Sequence, residues 1–71
     1  MKWYLITSKS DDYGASNKMM IKCAKKYMKC VYHYEEVTDE TEIKILSKYL
    51  GVVNDYLDES DDLEEYLETY F

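Results

Sequence analysis

Apolar residues along this 71-residue chain recur with two different periods, and the switches between them mark the predicted elements. Lys2 to Thr7 (KWYLIT) is rich in aromatic and β-branched residues and reads as a strand. Trp3 and Leu5 fall on one face, Tyr4 and Ile6 on the other. A strand apolar on both faces is expected to lie sandwiched, with Trp3 as a core anchor. Ser10 to Asn17 (SDDYGASN) offers several caps and a glycine, and is expected to be a loop or a ragged helix start. Lys18 to Cys30 (KMMIKCAKKYMKC) is predicted as a helix. Lys18, Lys22, Lys25 and Lys29 form a narrow stripe on it with Lys26 beside them. Met19, Met20, Cys23, Ala24, Tyr27 and Met28 make a broad apolar face. Val31 to Val37 (VYHYEEV) reads as a second strand, with His33 and Glu35 on one face and Tyr32, Tyr34 and Glu36 on the other.

In the second half the period is helical. Asp39 with Glu42 three residues later makes a capping-box-like start. Ile43, Leu46, Leu50, Val53 and Leu57 then form a seam that predicts a helix from about Glu40 to Asp58, which Gly51 either kinks or ends. Glu42 to Ile45 also alternates, so a hairpin with the second strand is an alternative for that piece. Asp58, Glu59 and Ser60 separate this helix from a last one. In that last helix Leu63, Tyr66, Leu67 and Tyr70 face inward. Asp61, Glu64, Glu65 and Glu68 face outward, with Asp62 on the flank. Ser60 is the expected N-cap, and Asp61, Asp62 and Glu64 suit the positive end of the helix dipole.

The result is a single α+β domain, residues 1–71, in the order β-α-β-α-α, with helices packed on a small two- or three-stranded sheet. The alternative order is β-α-β-β-α. A strand–helix–strand start favours a right-handed crossover and parallel pairing. A two-stranded sheet leaves two open edges, so either homodimerisation through a strand edge or a partner that covers it is expected. The hairpin alternative relaxes this.

Charge sharpens the picture. Residues 1–34 hold seven Lys and two Asp, a balance of +5, whereas residues 35–71 hold two Lys and thirteen acids, a balance of −11. The overall acidic excess argues against a simple nucleic-acid binder, and the absence of Arg argues against bidentate phosphate recognition. The nine Tyr residues suggest semi-exposed aromatic surface, because each ring brings a hydroxyl that needs water or a partner. A core from so short a chain is small. The apolar run near Met1 is too short for a signal peptide and none reaches membrane-spanning length. A cytoplasmic protein, in the host cell if viral, is expected, with Cys23 and Cys30 as reduced, small apolar core residues.

No catalytic, metal or cofactor motif is present, and no enzyme activity is expected. His33 and Glu35 could serve as two ligands or an acid–base pair but lack a third group. The carboxylates of the last helix repeat at three- and four-residue spacing and repel one another, a row that roughly imitates a phosphate backbone. The tail DYLDESDDLEEYLETYF, about a quarter of the chain, resembles the small acidic inhibitors made by phages, including DNA mimics and anti-CRISPR proteins. That resemblance is compositional and implies a non-enzymatic inhibitor. It would bind the basic, nucleic-acid-binding surface of a partner protein through Asp58, Glu59, Asp61, Asp62, Glu64, Glu65 and Glu68. The alternative function is a nucleic-acid-binding module using the Lys18–Lys29 helix face.

Overall fold

The structure, a computed structural model, describes residues 1–9, 14, 16–53 and 62–71 and the backbone of Asp61. Three strands, β1 (Lys2–Thr7), β2 (Lys18–Cys23) and β3 (His33–Val37), form one sheet in the order β2-β1-β3. A short 3-10 helix (Lys25–Cys30) lies between β2 and β3, and two helices, α1 (Glu40–Leu50) and α2 (Asp61–Tyr70), follow. The fold is α+β, as its residue pattern predicts, but the order of elements differs.

The difference lies in Lys18–Cys30. Its first half is a strand, and only its second half is helical, as a 3-10 segment that begins after Ala24 in extended conformation. The same residues read equally well with period two: Met19, Ile21 and Cys23 point one way, Lys18, Met20 and Lys22 the other. Long-range pairing decides between the two periods. β1 has backbone donors and acceptors on both sides, and a buried central strand needs a partner for each set. β2 supplies one, antiparallel from Lys2↔Cys23 to Thr7↔Lys18, and β3 the other, antiparallel from Trp3↔Val37 to Thr7↔His33. Both pairings are therefore antiparallel, not parallel as a β1-helix-β3 crossover would give. A crossover does occur, between β2 and β3, which run parallel to each other on either side of β1.

The sheet is covered on both faces, as the two-sided apolar pattern of β1 requires. Tyr4 and Ile6 are buried with Ile21 and Cys23 on one face, where Met28 of the 3-10 helix and Leu63, Leu67 and Phe71 complete the core. The other face carries Trp3, Leu5, Val37 and the fully buried Met20, with α1 packed against β2. Asp39 caps α1, its carboxylate accepting from the N–H groups of Thr41 and Glu42. Glu42 to Ile45 is helical, so the hairpin alternative does not form. Gly51, at φ 88°, ends the helix well short of Asp58. Its carbonyl accepts from Met20 N–H at 3.0 Å, and Val52 bridges Met20 in parallel. Val53, predicted in the helical seam, instead crosses to the opposite face and is buried in the main core. Leu57 and the Asp58-Glu59-Ser60 break lie outside the described residues.

Candidate functional site

α2 is held by its buried stripe and by its last turn. Leu63, Leu67 and Phe71 are each no more than 2% exposed, whereas Tyr66 is half-buried and Tyr70 is 55% exposed. At about 100° per residue, the buried stripe sits about 50° from the one centred on Leu63, Tyr66, Leu67 and Tyr70. Phe71, four residues beyond Leu67, is the apolar position that stripe omits. Tyr66 bridges the two sets, its ring 5.0 Å from Tyr70 and 5.9 Å from Phe71.

The last-turn carbonyls, which have no partner within the helix, are met from two directions. Lys9 donates from Nζ to the Glu68 carbonyl at 2.7 Å and from its backbone N–H to the Tyr70 carbonyl at 2.8 Å. Tyr32 N–H donates to the Phe71 carbonyl at 2.6 Å. A lysine at this end also suits the negative pole of the helix dipole.

The rotation of the stripe changes what the acids do. Glu64 and Glu68 flank the buried face and turn toward the 3-10 helix. Lys29 Nζ lies 3.5 Å from Glu64 Oε1, and Cys30 Sγ lies 3.8 Å from that oxygen and 3.7 Å from Glu68 Oε1. Two of the acids read as outward-facing are thus engaged within the molecule. Asp62 and Glu65 stand exposed and form no ion pair among the described residues. Asp58 and Glu59, and the Ser60 cap, lie outside the described residues, as does the side chain of Asp61.

Cys30 is consequently not a plain core residue. Burial pushes its thiol above the ordinary 9.0, the nearby Glu64 and Glu68 carboxylates push it further, and Lys29 opposes them. A thiol held protonated in this way is a poor nucleophile. The Cys30, Glu64 and Glu68 ligand atoms all lie within 4.8 Å of one another, close enough to hold a divalent cation if the thiol ionised. They form the sole group of this kind among the described residues. Cys23, by contrast, is fully buried in the core as expected.

The basic stripe does not assemble. Lys18 and Lys22 lie on β2 on the α1 side, with Lys22 Nζ 5.9 Å from the Trp3 ring. Lys25, Lys26 and Lys29 lie on the 3-10 helix, with Lys26 Nζ 5.2 Å from the Tyr27 ring. His33 and Glu35 share the α1 face of β3, both exposed, and His33 packs edge-on to Tyr32 at 4.7 Å.

Fold and surface together describe a small α+β domain with an acidic terminal helix. Among the described residues no helix is long and apolar enough to cross a membrane. No family model, curated protein or solved structure matches the chain.

Proposed function

We propose that the chain is a non-enzymatic protein-interaction module, of the inhibitor or adaptor kind, whose acidic last helix docks on the basic surface of a partner protein. One observation carries this reading. Asp62 and Glu65 project from α2 with no ion pair among the described residues, while Glu64, nearer the 3-10 helix, has Lys29. Exposed acids that the fold does not use cost a helix a few tenths of a kcal/mol in mutual repulsion, and a cationic partner would remove that cost. A nucleic-acid-binding surface is the most concentrated source of such cations, which keeps the resemblance to phage inhibitors within the proposal. The docking set is led by Asp62 and Glu65, with Glu68, Asp61, Asp58 and Glu59 extending it and Glu64 weakened by its ion pair.

The test is affinity capture on the immobilised full chain, washed at graded salt, beside a D62K/E65K variant. Both positions are exposed, so the variant should fold, with D62K at the positive end of the helix dipole costing about 0.3–1 kcal/mol. Proteins retained at low salt by the parent and lost by the variant support the proposal. Equal, salt-insensitive retention by both ends it. The nucleic-acid alternative would have to draw its lysines from two elements, β2 and the 3-10 helix, in place of one helix face. Titration with DNA and RNA at low salt should give no signal; binding with a steep log-salt slope would restore it.

A further inference from the structure

We infer that the outer edge of β3 is a second docking site, which takes an extended basic segment of a partner polypeptide as a fourth strand. It is independent of any role for α2.

The two edges of the sheet are finished differently. Met20 N–H points away from β1, toward Gly51. In an antiparallel pair the residues alternate in direction, so Met19, Ile21 and Cys23 bond toward β1. The Ser8 N–H to Asn17 carbonyl bond at 2.7 Å continues the same alternation. It follows that Trp3, Leu5 and Thr7 bond toward β3, and are met by Val37, Glu35 and His33. Tyr34 and Glu36 therefore aim their N–H and C=O groups outward. The β2 edge is covered at Met20 by Gly51 and Val52. No described residue closes the β3 edge at Tyr34 or Glu36, and an open row of this kind is a template for an added strand.

Its side chains select the occupant. A second copy fits poorly. Antiparallel pairing centred on Glu35 sets two Glu35 carboxylates against each other, and pairing centred on Glu36 does the same with Glu36. Pairing centred on Tyr34 needs the Tyr32 N–H, which the Phe71 carbonyl already holds. A lysine-bearing strand meets none of these obstacles. On the α1 side, one lysine would face Glu35. The next would lie over Val37 and Trp3, in a groove that Glu40 and Ile43 line together with Lys2 and Lys44. An apolar residue between them would sit opposite Glu36, whose carboxylate Lys2 holds at 3.0 Å, and diagonal to Tyr34, which is 47% exposed and edge-on to Tyr4 at 5.9 Å. Glu35, which repels a like-charged copy and forms no ion pair among the described residues, is thus the group that attracts a basic strand.

The probe is a blocked peptide of alternating lysine and valine, titrated into the isotope-labelled full chain and followed by amide NMR. The Tyr34 and Glu36 amides should shift saturably and exchange more slowly, and a glutamate–valine peptide should leave them unmoved. Tyr34→Pro removes an N–H that the sheet does not use, so the peptide response should vanish while the thermal melt is kept. Should that variant fail to fold, Glu35→Lys serves instead, and is expected to weaken binding by up to roughly fivefold, the upper end for a cross-strand pair. Equal response to both peptides, or no response at Tyr34 and Glu36, overturns the inference. Shifts confined to Asp62 and Glu65 also overturn it, while leaving the α2 proposal standing. Concentration-dependent broadening of β3 without peptide would make a second copy the occupant and refute the basic segment.

Discussion

Tyr4 places its ring at the centre of the main core, 1% exposed, yet its hydroxyl has no hydrogen-bond partner among the described residues. A buried polar group left unmatched costs about 1–3 kcal/mol. Phenylalanine keeps the ring, its burial and its edge-on contact with Tyr34 while removing the unmatched group. Tyr4→Phe should therefore raise the urea midpoint, with the slope of the transition unchanged. A lowered midpoint would mean that the hydroxyl has a partner. The abundance of tyrosine points to semi-exposed rings, and Tyr32, Tyr34, Tyr49 and Tyr70 are indeed well exposed. Tyr4 is the one fully buried tyrosine among the described residues, and alternation along KWYLIT put it on an apolar face without revealing that its hydroxyl would be enclosed.

At the scale of elements, α2 depends on few contacts, and each has a distinct readout. Leu67 is fully buried between the sheet and the 3-10 helix. Truncating such a leucine to alanine costs about 2–5 kcal/mol, against a total stability of about 4–10 kcal/mol for a chain of this size. Leu67→Ala should therefore leave a large unfolded fraction, seen as lost helical signal at 25 °C. Lys9→Ala removes one cap at the helix C-terminus and should cost only about 1 kcal/mol, concentrated in faster amide exchange of the last turn. Helices α1 and α2 were legible from the sequence because each repeats its apolar positions over three turns, and Asp39 marks the first cap. β1 was legible from its two apolar faces. Lys18–Cys30 was not, because KMMIKC satisfies both periods and the choice rests on β1, eleven residues upstream at its nearest. The inward turn of Glu64 and Glu68 was hidden for a related reason: it depends on Phe71 joining the stripe and on the 3-10 helix bringing Lys29 and Cys30 alongside.

For the whole molecule, three groups, two on β1 and one on the 3-10 helix, titrate in the same sense. Burial raises Tyr4 above 10.0. Burial and then the Glu64 and Glu68 carboxylates raise Cys30 above 9.0. Lys2 is raised above 10.5 by the hydrogen bond and charge of Glu36, whose Oε1 lies 3.0 Å away. A group with a raised pKa in the folded state holds its proton more tightly there than in the unfolded chain. Its contribution is complete below the unfolded value and disappears as pH climbs through the folded one. All three contributions are therefore intact at neutral pH and decline together in alkali. The exposed Lys2 pair adds little, being screened by solvent, so Cys30 and Tyr4 dominate. Urea midpoints measured from about pH 8 to pH 11 should fall, beginning near the ordinary cysteine range and steepening near that of tyrosine. Cys30→Ser should remove the earlier part of the decline and Tyr4→Phe the later part. A midpoint that stays level across this range, or a decline untouched by both substitutions, would show that neither group is held protonated by the fold, and would remove the reason for calling the Cys30 thiol unreactive.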